Sequence, residues 1–224
     1  MKAAPKRSSR PRVDRFLDKP TFKEMLDACD ACGDKRTKSM LLVQFQSFAG
    51  LRELLMIGNS MGLKIGGELR KGANLVPLHF EFSGGGRYEN WTSFIGTDAS
   101  EALRDWFATR GWPSPNNPYI WPVRHNGKAR ELTARDVSSA YSRLVIGLGL
   151  RPRRSTGAGV RYGVSSAQVR KLAVACALSG AGADHMIVYA LAGYKVNWQT
   201  SHLRRPDEKL LEQSYRNIEP HISI

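Results

Sequence analysis

Apolar positions along the chain recur mostly at helical spacing, with one stretch in which the period shortens. Thr21 and Glu24 form a Thr-x-x-Glu box, in which the hydroxyl takes a first-turn amide and the carboxylate returns to the cap amide, so a helix is predicted over residues 21–32. After a charged turn at 33–38, residues 39–48 are apolar nearly all round (Met40, Leu41, Leu42, Val43, Phe45, Phe48), which predicts a central helix enclosed by protein. Between Leu63 and Gly96 the pattern changes. Segments 75–82 and 90–95 are short, rich in aromatic and β-branched residues, and bounded by Lys71-Gly-Ala-Asn74 and Ser83-Gly-Gly-Gly86, which predicts a three-stranded antiparallel sheet. Helical patterns resume at 98–110 behind Thr97, at 134–148 behind a Thr133-x-x-Asp136 cap, and at 167–179 behind Ser166. Two more follow, at 185–191 behind Asp184 and at 207–217 opening at Pro206. Residues 111–130 read as a loop bearing Pro and Trp, whose Trp112 and Trp121, with Trp106, have the spacing of core and loop anchors. The expected class is α+β, mainly helical.

Composition narrows the partners. With 224 residues and 42% hydrophobic, the chain has the material for one core, so residues 21–224 are expected to form a single domain. Residues 1–20 carry Lys6, Arg7, Arg10 and Arg12 among prolines and read as a flexible basic arm. A net charge of +14 repels itself unless a polyanion neutralises it, which points to nucleic acid. No apolar run has the length of a membrane span and none follows the basic N-terminus as in a secretory signal, so an intracellular, cytoplasmic protein is expected. Cys29, Cys32 and Cys176 are too few for a disulfide framework, and Cys29-Asp-Ala-Cys32 is half a zinc site with no second pair, so neither metal nor cofactor is expected.

Four stretches carry a more specific signal: Ala49-Gly-Leu-Arg-Glu-Leu-Leu55; Val76-Pro-Leu78 with Trp91-Thr-Ser-Phe-Ile95; Ser165 through Gly180; and Leu191-Ala-Gly-Tyr194. In this order they resemble the catalytic domain of tyrosine recombinases, the phage-integrase family, over about residues 21–220, closest to its archaeal and bacterial integrase-like branch. The resemblance implies that family's catalytic-domain fold, without the separate N-terminal domain with which most members complete their clamp on DNA. It also implies a chemistry in which a tyrosine attacks a phosphodiester, two arginines hold the non-bridging oxygens, a lysine protonates the leaving oxygen and histidines handle protons.

By that resemblance Arg52 is the first phosphate-holding arginine and Arg170 the second, while Arg87 replaces the lysine and remains a phosphate holder though a poor acid. Ala167 stands where the first histidine is expected, and Tyr194 where the second histidine or a tryptophan is usual. The nucleophile is expected near Ser201 to Leu203, yet Thr200-Ser-His-Leu-Arg204 holds no tyrosine; Tyr215 and His202 are the remote substitutes. Glu53 follows Arg52 directly, whereas the family's supporting glutamate lies three residues on. The acid-free run Arg151, Arg153, Arg154, Arg161, Arg170 and Lys171 is an expected DNA contact. These observations lead to a double-stranded DNA-binding protein that has lost strand cleavage, an accessory or architectural factor for recombination or a mobile element, with segment 207–224 as an implied route to self-association. The alternatives are an active recombinase with a rearranged nucleophile and an RNA-binding or scaffold protein.

Overall fold

A computed structural model describes residues 17–81, 90–149, 165–180, 183–196 and 206–224. Among them the chain runs α1 (Lys19–Ala31), α2 (Lys35–Gln46), α3 (Leu51–Ser60), α4 (Gly62–Arg70), β1 (Val76–Phe80), β2 (Trp91–Ile95), α5 (Thr97–Arg110), β3 (Val123–His125), β4 (Lys128–Arg130), α6 (Ala134–Gly147), α7 (Ser166–Ser179), α8 (His185–Leu191) and α9 (Glu208–Ile222). The mainly helical α+β class is what forms. No single helix among the described residues is long and apolar enough to cross a membrane.

Helix α2 is the axis of the molecule, packed against α1, α3, α5, α7, α9 and β2. Its residues Met40 to Gln46 are all buried, polar ones included. A buried amide or hydroxyl destabilises unless it is bonded, so each such group becomes a cross-link. Ser39 Oγ accepts from Trp121 Nε1 at 2.9 Å, and Ser93 Oγ donates to the Ser47 carbonyl at 2.9 Å. Gln46 Oε1 accepts from the Ala99 amide at 3.0 Å while its Nε2 donates to Asp98 Oδ2 at 3.2 Å, which ties α2 to the first turn of α5. Trp121 is fully buried and Trp106 Nε1 donates to the Ile120 carbonyl at 2.7 Å, so these indoles anchor the loop after α5 as their spacing suggests.

The sheet differs from expectation. β1 and β2 pair antiparallel from Val76↔Ile95 to Phe80↔Trp91, and β3 and β4 form a second two-stranded hairpin, so two small sheets replace a three-stranded one. The start of the stretch from Leu63 to Gly96, expected to hold the three-stranded sheet, instead lies in α4. Gly62, Ile65, Gly66 and Leu69 are its buried face, at i, i+3, i+4 and i+7, and this period outweighs the three glycines of the segment. Gly66 is small because the Pro113 ring lies 3.2 Å from where a Cβ would stand. The β3–β4 hairpin falls inside the segment read as loop, and Asn126 (φ 50°) and Gly127 (φ 76°) make its two-residue turn.

Helix boundaries shift for local reasons. Asp18, not Thr21, caps α1, accepting from the Thr21 amide at 2.9 Å, and Pro20 sits in the first turn, where its missing N–H costs nothing. Leu17 is buried, so residues 17–20 belong to the fold rather than to the arm; Lys6, Arg7, Arg10 and Arg12 lie outside the described residues. α5 and α7 begin one residue earlier than read, behind Gly96 and Ser165. Gly96 is required by close approach: a Cβ there would lie 2.6 Å from Glu219 Oε1 and 2.7 Å from the Tyr215 hydroxyl. α9 continues to Ile222 and packs against α7, α8 and β2 of its own chain.

The Thr133–Asp136 capping box forms as read, and Arg130 reaches Asp136 at 2.8 Å. The Arg130 hydrogen bond, with Thr133 adding, holds the Asp136 carboxyl well below its ordinary value. A carboxyl depressed in the fold lends stability above its unfolded pKa, about 3.9, and loses it as the pH falls through the folded value. Asp136→Asn is expected to destabilise by about 1 kcal/mol near neutral pH, the size of a capping contribution. The difference should shrink as the pH drops below about 4 in a series of thermal melts.

Candidate phosphate-binding site

Helix α7 buries Val169, Leu172, Ala173, Val174 and Ala177 and leaves Arg170 half-buried at the edge of that face. Its start is fixed from below by α2. Gln44, fully buried, donates through Nε2 to the Ala49 carbonyl at 3.0 Å, to the Ser166 carbonyl at 3.0 Å and to Ser166 Oγ. Its Oε1 accepts from the Tyr141 hydroxyl of α6 at 2.8 Å, a phenol whose pKa burial pushes up. One amide therefore joins the turn before α3 to the beginning of α7.

The two arms meet at Gly50, the N-cap of α3, whose backbone is extended and which offers no side-chain cap. A Cβ at Gly50 would lie 2.6 Å from Glu53 Oε2 and 3.0 Å from Arg170 Nη1, so a carboxylate and a guanidinium share the space that glycine leaves open. Glu53 is 5% exposed, while Arg52, about 100° away around the helix, is exposed. Arg170 Nη2 donates to the Ala192 carbonyl, and its Cζ stands 4.7 Å over the Tyr194 ring. Its Nε is buried with no hydrogen-bond partner among the described residues, a state that native proteins seldom tolerate without a reason.

Ala192 and Tyr194 come from the turn that ends α8. Gly193 holds φ +68°, and a Cβ there would lie 2.5 Å from Trp91 Cε2, so both backbone and space demand glycine. The Tyr194 amide closes the turn on the Tyr189 carbonyl at 2.9 Å. The Tyr194 ring is 43% exposed and meets the Tyr189 ring edge-on at 5.7 Å. Ala167 precedes Arg170 by one turn, and Lys171 is exposed beside it.

Tyr215 sits elsewhere. It is fully buried, its hydroxyl donates to the Gln46 carbonyl at 3.1 Å, and its ring packs against Phe48 and Phe94. Burial pushes its pKa well up, and Glu219 and Asp98 add to the effect. Arg87, Arg151, Arg153, Arg154, Arg161 and the segment containing His202 lie outside the described residues. Cys29 is buried, and burial raises its thiol to about 12, with Asp34 contributing. No group of three or more His, Cys, Asp or Glu side chains among the described residues is placed to hold a metal ion.

No protein-family model matches the chain, and no curated protein matches its sequence. The fold is similar to that of the XerH site-specific recombinase bound to its difH substrate in a pre-cleavage complex, with a TM-score of 0.53 at 14% identity over 93% of this chain and 50% of that one. The same values hold for XerH on a palindromic difH substrate in a post-cleavage complex. The chain thus shares a fold with that site-specific recombinase and spans about half its length.

Gln44 and the Ala192 carbonyl escaped the sequence reading, and Glu53 was noted only for its spacing from Arg52, not for its place beside Arg170. Gln44 was visible only as a polar residue amid an apolar helix, and the inward direction of Glu53 had no signal of its own. Gln44→Leu removes the shared amide and strands the Tyr141 hydroxyl. It is expected to cost about 2–3 kcal/mol in denaturant unfolding, more than an exposed glutamine would.

Proposed function

We propose that this protein binds double-stranded DNA by gripping a backbone phosphate at the α3–α7 junction without cutting the strand, as an accessory or architectural factor in DNA recombination or mobile-element movement. The observation that carries this reading is the Arg170 guanidinium, set in orientation beside the N-terminus of α3 by two contacts from the turn that ends α8. A helix N-terminus with no side-chain cap favours an anion, and Arg52 on the same first turn adds a second cation. Glu53 offsets one of the positive charges gathered there. Arg87, the basic run Arg151, Arg153, Arg154 and Arg161, Lys171, and the arm residues Lys6, Arg7, Arg10 and Arg12 extend the contact in this reading, and the net charge of +14 agrees with a polyanionic partner. The XerH structures are complexes of a recombinase with its DNA, which supports the same class of partner.

Loss of cleavage rests on what replaces the proton-moving groups. Ala167 has no hydrogen bond to give, segment 200–204 has no tyrosine, and the phenol of Tyr215 is bonded inside the core. Binding needs only fixed donors, whereas cleavage needs a nucleophile and a proton path.

If about six phosphates are neutralised, the logarithm of duplex affinity should fall with log salt at a slope of roughly −5. Arg170→Ala and Arg52→Ala are each expected to weaken binding about ten-fold and to flatten that slope by about 1. Fluorescence anisotropy over a salt series reads both, and variants that bind like the parent at every salt concentration would refute the site. A nicked suicide duplex should yield no covalent protein–DNA adduct; an adduct that disappears in Tyr215→Phe would establish an active recombinase instead.

A further inference from the structure

We propose that Tyr194 is a positioning residue for Arg170: its ring fixes the plane of the guanidinium by a cation–π contact. The proposal deepens the phosphate-grip reading and rests on it for its DNA readout alone. The geometry points to a clamp built from one turn. Ala192 supplies the carbonyl that takes the Nη2 proton, and two residues on Tyr194 supplies the face over which Cζ stands at 4.7 Å. A hydrogen bond alone leaves a guanidinium free to swing about the bond axis; a stacked ring removes that freedom. With both contacts made, Nη1 is directed at Gly50 and the first turn of α3.

The turn itself is held for this purpose by its neighbours. Gly193 lies against the Trp91 indole in a left-handed conformation, so the step from Ala192 to Tyr194 has a fixed path, and the Tyr194 amide bonds back to Tyr189. Tyr189 meets the Tyr194 ring edge-on at 5.7 Å, which steadies the ring. The Tyr194 ring remains 43% exposed, so it contributes little to the core, and a tyrosine in that place is better explained by the cation beneath it than by burial.

The test separates the ring from the hydroxyl and from bulk. The full-length chain is prepared as parent, Tyr194→Phe and Tyr194→Leu, with arginine side chains labelled for NMR and the Arg170 signal assigned by its loss in Arg170→Lys. A guanidinium stacked on a ring shows upfield-shifted protons, expected in the parent and in Tyr194→Phe and absent in Tyr194→Leu. Duplex affinity by anisotropy should follow the same order, with Tyr194→Phe like the parent and Tyr194→Leu about five-fold weaker, the size a partly exposed cation–π contact confers. All three should melt at similar temperatures, because the residue is not in the core. An unshifted Arg170 signal in the parent, or Tyr194→Leu binding as tightly as Tyr194→Phe, would overturn the proposal. Should the parent fail to bind duplex DNA, the functional reading falls, and the ring-current shift alone decides whether Tyr194 holds Arg170.

Discussion

Two glutamine amides on one buried helix organise this protein. Gln44 and Gln46 are closed off from water, and an amide in that position is tolerable only if neighbouring elements bring it donors and acceptors. Gln44 collects the turn before α3, the start of α7 and the phenol of α6. Gln46 collects the first turn of α5 through its side chain and Tyr215 of α9 through its carbonyl. The placement of α3 relative to α7, and so of the first turn bearing Arg52 relative to Arg170, follows from meeting the demands of α2.

On that frame the site is electrostatically simple. Arg170 is oriented by a carbonyl and a ring, stands opposite a buried carboxylate, and faces a helix N-terminus from which glycine has removed any obstructing side chain. Groups set in advance lose little freedom when an anion arrives, so the arrangement suits binding. Strand cleavage asks for more: a nucleophile that can be deprotonated and partners that pass protons. Tyr215, which has the right side chain, is spent on holding α9 to α2, and raising its pKa by burial makes it a worse nucleophile.

Much of this was legible from residue pattern. The all-round apolar character of residues 39–48 announced the central helix, the Thr133–Asp136 box formed as written, and α8 occupies the span expected of it. Arg170 and Tyr194 were singled out by resemblance, and the structure brings them into contact. What stayed hidden depended on tertiary neighbours. The helix at 62–70 was not read within the stretch from Leu63 to Gly96, and only its tertiary neighbours show that Gly66 leaves room for the Pro113 ring. The Thr21–Glu24 box was outcompeted by Asp18 because Pro20 sits comfortably in a first turn. Asn126-Gly127 was a turn signal overlooked within a loop, and no periodicity reveals that Glu53 turns inward beneath a guanidinium from a helix more than a hundred residues away.

The central claim is that this junction exists to hold a phosphate. A crystal structure of the chain with a short duplex tests it most directly. A backbone phosphate oxygen is expected within about 3 Å of Arg170 Nη1 and adjacent to the first-turn amides of α3, with no phosphotyrosine bond formed. DNA seated on another face, with the Arg170 guanidinium still turned only toward Glu53, would contradict it.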